Sequence, residues 1–375
     1  MKESGIPALM IGISTTGTGG YERLEYLENL PVPEPGPTEV LVRVLAAGVN
    51  NTEINTRLGW YSTSVDVGTN SHYEITSDGS GGMRNGGWNK KTPFPLIQGT
   101  DCCGEVVKIG ALGNPELVGK RVLVRPCVEI IDSQGGPNCQ WMGSDFNGSF
   151  AQFVVVPQTE VFPISSDWTD EELGVIPCAY GTAENMCINA NVEAGDTVLI
   201  PGGSGGVATA AIKLCKLRGA TVISITNQSK RDYVLEMGAD IVYAGRHGGS
   251  GWKSMTKDMR NQVDVVIDNV GGEGFLDLLN CLKANGSYVC SGAINGPVVP
   301  LDLRTMYLQD LTLIGTTSWS NSVFPNLIGY IQQSLISPPR VTSFPLRKIE
   351  EVQKLFIAKE DLGKFALMPP APGRP

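Results

Sequence analysis

The sequence predicts an α/β protein of two domains, an antiparallel, barrel-like domain followed by a doubly wound parallel sheet. The chain has 375 residues, which is enough for two domains with separate cores. Up to about residue 163, short apolar runs are separated by glycine and proline, a pattern typical of antiparallel strands. From about 164 to 320, strand and helix patterns alternate, which favours right-handed β-α-β crossovers and a parallel sheet.

The first domain is expected to span residues 1–163. Its strands are predicted from apolar runs that end at turn-forming residues. They are Ala8–Ser14, Val40–Ala46, Glu105–Ile109, Arg121–Arg125 and Phe150–Val156.

The second domain is expected to span residues 164–320, and residues 321–375 are expected to return to the first domain. After an opening strand at Val198–Ile200, period-2 and period-3.6 patterns alternate. The predicted strands are Thr221–Thr226, Ile241–Tyr243, Val263–Asp268, Ser287–Ser291, Leu311–Thr317 and Gly363–Met368, and the predicted helices are Ser229–Met237, Gly274–Lys283, Val323–Leu335 and Ile349–Lys359.

A glycine cluster after the opening strand carries the clearest functional signal. Gly203, Gly205 and Ala208 supply the spacing G-x-G-x-x-G/A between a strand and an amphipathic helix. Glycine lets a pyrophosphate approach the backbone, and the helix N-terminus offers unpaired N–H groups. The predicted cofactor-binding residues here are Gly203, Ser204, Gly205, Gly206 and Val207.

Composition limits the other functions that the chain can have. The 29 basic and 38 acidic residues give a net charge of −9, which disfavours nucleic acid and anionic membranes as partners. Nine cysteines without C-x-x-C pairs indicate a reducing compartment, and no secretory signal or membrane-length apolar run is visible. We expect a cytoplasmic protein with a small-molecule substrate.

One segment, Tyr61–Lys91, is rich in Ser, Thr, Asn and Gly and has no clear periodicity. A loop of that length is uncommon inside a compact domain. It is interpreted either as a surface insertion or as a lid over an active site.

Four motifs, in this order, resemble the medium-chain dehydrogenase/reductase superfamily over nearly the whole chain. They are YERLEYLENLPVPEPGPTEVLVRVLAAGVN, PGGSGGVATAAIKLCKLRGA, DVVIDNVGG and GKFALMPP. The resemblance implies a GroES-like β-barrel catalytic domain and a Rossmann domain that binds a nicotinamide dinucleotide.

Many members of this superfamily bind a catalytic zinc through Cys, His and Cys. In this chain Asn50 and Thr100 occupy the first two of those positions, and only Cys178 matches the third. Because a catalytic zinc has three protein ligands as its usual minimum, no metal is expected.

The remaining Cys and His residues lead to the same expectation. The structural zinc lobe of the family uses four closely spaced cysteines, whereas this region has only Cys127 and Cys139. The two histidines, at positions 72 and 247, lack metal-ligand spacing. We interpret three cysteines as small buried hydrophobic residues: Cys102, Cys103 and Cys178.

The segment from Asn50 to Tyr61 is similar to zinc-free quinone oxidoreductases and enoyl thioester reductases. That resemblance implies that Tyr61 donates a proton or hydrogen bond to the substrate next to the nicotinamide. We expect Asn50 and Tyr61 to contact the substrate and to steady the developing enolate oxygen. Thr182 corresponds to a family position near the nicotinamide. The alternatives are a half-buried rim aromatic for Tyr61 and a helix N-terminal hydroxyl for Thr182.

Residues after the second strand of the nucleotide domain predict NADPH rather than NAD. An acidic residue there would bind the adenosine ribose, but the chain has Thr226 followed by Asn227, Gln228, Ser229, Lys230 and Arg231. Cations bind a 2′-phosphate through charge-assisted hydrogen bonds. The predicted specificity residues are Asn227, Ser229, Lys230 and Arg231, although Lys230 and Arg231 alternatively form a solvated helix start.

Two further loops follow strands of the same sheet and are expected to line the cofactor cleft. Their predicted binding residues are Asn269, Val270, Ser291, Gly292 and Ala293, and Asp268 is either part of this site or a simple strand-end cap.

The sequence therefore predicts a zinc-free NADPH-dependent reductase of an enone, an enoyl compound or a quinone. The alternatives are a carbonyl/alcohol oxidoreductase, a zinc alcohol dehydrogenase, and a dinucleotide-binding protein with little redox turnover. The apolar strand Leu311–Ile314 is a candidate dimer seam.

Overall fold

The computed structural model describes residues 5–77, 87, 91–131, 137–245 and 250–373. Helices of the described part are α1 Asn51–Leu58, α2 Thr69–Ser77, α3 Asp170–Leu173, α4 Pro177–Asn189, α5 Gly206–Leu217, α6 Arg231–Glu236, α7 Ser250–Asp258, α8 Phe275–Cys281, α9 Leu303–Tyr307, α10 Val323–Gln332 and α11 Ile349–Ala358.

Strands of the first half and the middle of the chain are β1 Leu9–Thr15, β2 Leu24–Pro31, β3 Glu39–Gly48, β4 Leu96–Ile97, β5 Cys103–Ile109, β6 Arg121–Val124, β7 Cys127–Ile131, β8 Pro137–Trp141, β9 Phe153–Pro157 and β10 Val161–Pro163. The later strands are β11 Thr197–Pro201, β12 Thr221–Thr226, β13 Ile241–Ala244, β14 Val263–Asp268, β15 Leu282–Cys290, β16 Thr312–Gly315, β17 Val341–Pro345 and β18 Lys364–Met368.

The chain divides into two compact units. The first contains Met1–Thr63, Tyr73–Cys178 and Phe324–Pro375, and the second contains Ser64–His72 and Ala179–Val323. The sequence places the boundaries after residues 163 and 320 instead. Residues 164–178 belong to the first unit because α3 packs against β3, β5 and β18.

The first unit is built on a seven-stranded sheet in which β3 is central. Its order is β10-β6-β5-β3-β18-β17, with β9 also paired to β3. β3 is antiparallel to β5, β9 and β18, and Val42 has Val106 and Val154 as its register partners. Valine-rich strands form the core of this unit, because β-branched side chains pack well on a pleated surface. A second sheet, β2-β1-β4, completes the barrel-like domain.

The second unit contains a parallel six-stranded sheet with the order β13-β12-β11-β14-β15-β16. Its core includes Leu199 of β11, Val266 of β14, Leu278 of α8 and the fully buried Trp252 of α7. The predicted α/β class is confirmed, with a mainly antiparallel first unit, in which only the described pair β17 and β18 is parallel, and a parallel second unit. β16 lies at one edge of the sheet, and its role as a dimer seam stays a prediction.

Several elements differ from the sequence-based expectation. The helices α1, α4 and α7 and the strands β2 and β17 were not among the predicted elements. The segment Tyr61–Lys91 contains helix α2, at Thr69–Ser77, so it is not structureless there. Residues 78–86 and 88–90 of that segment lie outside the described residues.

Helix α2 begins within the second unit, which contains Ser64–His72. Thr69 N donates to Ile294 O at 2.9 Å, and His72 N donates to Gly68 O at 2.9 Å. Thr, Asn and Ser are weak helix formers, which explains why composition did not reveal this helix. Within the described ranges, no helix is long and apolar enough to cross a bilayer.

Candidate active site

The glycine turn of the second unit joins β11 to α5 and leaves almost no room for side chains. Gly202 has a φ of +65°, which favours glycine. A Cβ at Gly203 would overlap the Ser224 hydroxyl, which is held by its bond to Ile200 O at 2.9 Å. Gly203 N in turn donates to Ile225 O at 2.9 Å. Glycine at 202 and 203 is therefore required by the path of the backbone.

Helix α5 starts directly after this turn. The amide of Thr209 donates to Gly205 O at 2.9 Å, so the amides of Gly206, Val207 and Ala208 precede the first helical hydrogen bond. Such amides, together with the positive end of the helix dipole, are suited to a pyrophosphate. This geometry fits the dinucleotide that the sequence predicts for Gly203, Ser204, Gly205, Gly206 and Val207.

The predicted specificity segment follows β12 at the same edge of the sheet. Asn227 and Ser229 are exposed, whereas Lys230 and Arg231 are partly exposed. The Arg231 guanidinium lies 3.7 Å from the Asp232 carboxylate, a pair that is largely exposed and therefore weak. These cations could hold an anionic group.

Two strand-end loops lie together in the second unit. Ser291 Oγ donates to Asn269 Oδ1 at 3.1 Å, and Asn295 N donates to Val270 O at 2.8 Å. Gly292 and Ala293, also predicted to bind the cofactor, lie between these contacts in the chain. The loops after β14 and β15 are thus joined, and their role in lining a cofactor cleft stays a prediction.

Asp268 serves as the cap of β14. Its buried carboxylate accepts from Val270 N at 2.7 Å and from the Tyr288 hydroxyl at 2.6 Å. Burial and the neighbouring Asp268 charge raise the pKa of Tyr288. Because these bonds occupy its carboxylate, the strand-end cap describes Asp268 better than a ligand contact.

Thr182 is half-buried in the second turn of α4, so it is not a helix N-terminal hydroxyl. The Trp319 ring packs on the adjacent Gly181, where a Cβ would overlap it. The predicted role of Thr182 beside a nicotinamide stays a prediction.

In the first unit, Asn50 lies in a cluster of buried polar side chains. It is the N-cap of α1, and its backbone N–H donates to Glu53 Oε2 at 2.9 Å. The other oxygen of Glu53 accepts from the Thr100 amide at 2.9 Å and from the Thr100 hydroxyl at 2.7 Å. Glu53 thereby ties the start of α1 to the loop that carries Thr100.

Asp101 and Lys364 complete this cluster. Asn50 Nδ2 donates to Asp101 Oδ2 at 2.8 Å and to Thr100 Oγ1 at 3.3 Å, while Lys364 Nζ donates to Asn50 Oδ1. Lys364 Nζ is also 3.5 Å from Asp101 Oδ2. Asp101 Oδ1 accepts from Cys178 N at 2.5 Å. We define Asn50, Glu53, Thr100, Asp101, Cys178 and Lys364 as the Asn50 cluster.

Tyr61 lies beside the Asn50 cluster. Its hydroxyl is hydrogen-bonded to Thr52 and Asn55, and Cys178 is close enough to influence it electrostatically. Thr52 Oγ1 is itself 3.9 Å from Cys178 Sγ. Burial is the main cause of a raised Tyr61 pKa, so the phenol stays protonated at neutral pH. The structure thus brings Tyr61 and Asn50 into one region of the first unit.

Glu53, Asp101 and Lys364 were not identified from the sequence. The spacing of Asn50 and Glu53 in NNTE matches a capping box and could have revealed α1. Lys364 opens an otherwise apolar strand, but its partner Asn50 is 314 positions away. No local pattern predicts that contact.

The thiols near the cluster are buried and protonated. Burial and the Asp101 charge raise the pKa of Cys178 to about 12, and they also raise the pKa of Cys102. Among the residues that the structure describes, no three His, Cys, Asp or Glu side chains are grouped as a metal site would need.

A separate apolar cavity of about 560 Å³ lies in the first unit. It is lined by residues that include Leu30, Leu96, Val128, Phe146 and Val154. None of the predicted site residues is among those that line it. It is therefore distinct from the Asn50 cluster.

A barrel domain with a polar cluster and a parallel sheet with a dinucleotide turn define a two-domain dehydrogenase. Comparison with known proteins agrees: residues 36–166 match the alcohol dehydrogenase GroES-like domain, and residues 206–333 match the zinc-binding dehydrogenase family. The chain belongs to the medium-chain dehydrogenase/reductase superfamily and is an oxidoreductase of that group.

Individual relatives cover most of the chain. A putative alcohol dehydrogenase from Sinorhizobium meliloti 1021 is 36% identical, with a TM-score of 0.84 over 97% of this chain and 98% of that one. An acryloyl-coenzyme A reductase from Sulfurisphaera tokodaii is 23% identical over 92% of this chain and 96% of its own length. An NAD-dependent alcohol dehydrogenase from Sulfolobus acidocaldarius is 26% identical over 83% of this chain and 87% of its own length.

The Asn50 cluster predicts that Glu53→Gln lowers the free energy of unfolding by about 1–3 kcal/mol, because an NH₂ group would face donors. Burial raises the Glu53 pKa, so the ionised carboxylate is disfavoured in the folded state. The contribution of Glu53 to the free energy of unfolding is thus largest at pH values below its ordinary pKa. It is lost as the pH rises through the raised pKa that Glu53 has in the folded state. In urea unfolding, the difference in free energy of unfolding between the wild type and Glu53→Gln should shrink as the pH increases.

The exposed Glu25→Gln is the matched control and should change stability by less than about 0.5 kcal/mol at every pH. A Glu53→Gln deficit that grows with pH would contradict the assigned pKa direction.

Proposed function

We propose that this chain is a zinc-independent, NADPH-dependent reductase of an activated C=C bond or of a quinone. The observation that carries the proposal is the Asn50 cluster. At the family's three zinc positions it has the amide of Asn50, the hydroxyl of Thr100 and the protonated thiol of Cys178. The ammonium of Lys364 lies beside them. Tyr61, next to this cluster, supplies a neutral hydrogen-bond donor.

The donor set of the cluster does not fit a catalytic zinc. Zn²⁺ binds thiolate, imidazole or carboxylate, whereas Asn50 and Thr100 offer an amide and a hydroxyl. The single thiol, Cys178, supplies only one of the three protein ligands that a catalytic zinc usually has as a minimum. The Lys364 ammonium on Asn50 adds a positive charge that would repel a dication.

Without zinc, hydrogen-bond donors must stabilise charge on a substrate oxygen. Tyr61 is suited to this role because burial keeps its phenol protonated. Asn50 has both amide hydrogens directed at Asp101 and Thr100, so it supports the site by positioning its neighbours. Its predicted direct contact with the substrate stays a prediction.

The second unit has residues suited to NADPH, the dinucleotide that carries a 2′-phosphate. The turn at Gly202–Gly206 and the first amides of α5 would hold the pyrophosphate, and Lys230 and Arg231 would hold a 2′-phosphate. When bound, NADPH supplies the hydride. The Sulfurisphaera tokodaii relative, an acryloyl-coenzyme A reductase, supports reduction of a C=C bond conjugated to a carbonyl group.

Carbonyl/alcohol interconversion in the same site is the second candidate, favoured by the relatives that are alcohol dehydrogenases. Product analysis of an enone separates the two reactions, because C=C reduction gives a saturated ketone and C=O reduction gives an allylic alcohol. A protein that binds NADPH tightly without turning over any substrate of a broad panel would instead be a dinucleotide-binding protein.

Purified protein is expected to oxidise NADPH in the presence of an enone or a quinone, and Tyr61→Phe is expected to lower kcat/KM about 10- to 100-fold. The loss reflects one missing hydrogen-bond donor to the developing oxyanion. The decrease in NADPH absorbance at varied substrate concentrations gives kcat and KM. Tyr307→Phe, which changes an exposed tyrosine of α9, is the control and should match the wild type. Full activity of Tyr61→Phe on several good substrates would remove Tyr61 from the mechanism.

Cofactor choice is expected to depend on Lys230 and Arg231. Lys230→Ala or Arg231→Ala should raise the Kd of NADPH about tenfold, the effect of losing one charge-assisted hydrogen bond. The Kd of NADH should stay unchanged, since it has no 2′-phosphate. Fluorescence titration with both nucleotides measures this, with the exposed Lys253→Ala as control. Equal losses for both nucleotides would contradict a phosphate contact.

A further inference from the structure

Lys364 is a buried lysine that has no role in the reaction described so far. It is the first residue of β18, and only 6% of it is exposed. Gly363 fixes its position, because φ there is +97° and a Cβ would overlap the carbonyl of Arg340. Lys364 N donates back to that carbonyl at 2.9 Å. The backbone thus holds the side chain at a defined place.

The ammonium of Lys364 has two partners in the Asn50 cluster. It donates to Asn50 Oδ1, and the Asp101 carboxylate lies 3.5 Å away. Gly48 makes room for that carboxylate, because a Cβ at Gly48 would overlap Asp101 Oδ2. Lys364 also lies close enough to Cys178 to act on its thiol electrostatically. Of the family's three zinc positions, the ammonium therefore contacts one and is near another.

The hydrogen bonds of the cluster leave Lys364 as the available donor. Both amide hydrogens of Asn50 point to Asp101 and Thr100, and the Thr100 hydroxyl donates to Glu53. An ammonium has three hydrogens, and its contacts within the described part of the chain use two of them. A third hydrogen, on a cation in a poorly hydrated site, is suited to an anionic oxygen.

We propose that Lys364 is a further catalytic residue whose ammonium stabilises the negative charge on the carbonyl oxygen of the substrate. This inference rests on the proposed function. As the hydride and its electron pair form the new Cβ–H bond, the C=C pair forms the Cα=C bond of an enolate and the C=O π pair moves to oxygen. NADPH, when bound, would supply that hydride and would become NADP⁺. A proton from water then adds to Cα and restores the carbonyl group.

A different role for Lys364 is only to neutralise Asp101, and a double variant separates the two. Lys364→Met leaves Asp101 as an unpaired buried charge, which destabilises a protein whatever the chemistry. Combining Lys364→Met with Asp101→Asn removes both charges and keeps the net charge of the site unchanged. If Lys364 only neutralises Asp101, the double variant recovers the activity that Lys364→Met loses.

The experiment compares the wild type, Lys364→Met, the double variant and the control Lys354→Met, an exposed lysine that pairs with Glu350 on α11. Circular dichroism establishes that each variant is folded, and steady-state kinetics with NADPH and the best enone gives kcat and KM. Calorimetry in the presence of NADP⁺ then measures the binding of the carboxylate analogue of that enone and of its neutral methyl ester.

We expect the folded double variant to lose at least about 100-fold in kcat, the effect of removing one oxyanion donor, with little change in KM. Its affinity for the carboxylate should fall more than about tenfold, the effect of losing one charge-assisted hydrogen bond, and its affinity for the ester should match that of the wild type. Lys354→Met should behave as the wild type.

Recovery of activity in the double variant, or equal losses for carboxylate and ester, would overturn the catalytic role of Lys364. Failure of the wild type to reduce any enone or quinone would instead refute the proposed function. In that case the calorimetric comparison is made with an α,β-unsaturated carboxylate and its methyl ester, and it still tests the Lys364 contact.

Discussion

The contact between Lys364 and the Asn50–Asp101 pair is the interaction on which the candidate active site depends. Buried charges are costly unless they are paired and hydrogen-bonded, and here each group supplies what its neighbour lacks. Asp101 holds the Asn50 amide and the Cys178 backbone, Lys364 caps the Asn50 carbonyl oxygen, and Glu53 joins Asn50 to Thr100. The cluster connects residues from the N-terminal half of the first unit with the last strand of the chain.

The proposed zinc-independent chemistry rests on the donors of this network. The amide of Asn50 and the hydroxyl of Thr100 are not usual zinc ligands, the Asn50 amide oxygen accepts from the Lys364 ammonium, and the protonated Tyr61 lies beside them. Such preorganised donors can stabilise an enolate without reorganisation during the reaction. In the second unit, the glycine turn and the joined loops after β14 and β15 are held by backbone hydrogen bonds, which is the rigidity that a bound dinucleotide would need.

The sequence was informative where local patterns determine the structure. The turn at Gly202–Gly206 was predicted because its glycine spacing lies between a strand pattern and a helix pattern, and both domain types were predicted correctly. The family resemblance pointed to Asn50 and Tyr61, which the structure places in one region. Helix α1 was missed because its stability comes from the Glu53 cap and from buried polar partners rather than from an apolar stripe. Lys364 was missed because its partners are distant in sequence and become neighbours only through the pairing of β18 with β3.

The most direct test of the central claim, that the positive charge of this site comes from the chain and not from a metal, is the zinc content of the protein. The protein would be purified from zinc-supplemented medium and analysed by inductively coupled plasma mass spectrometry. The account predicts far less than one zinc per chain in a preparation that reduces an enone with NADPH. About one zinc per chain, with loss of activity on chelation, would contradict it.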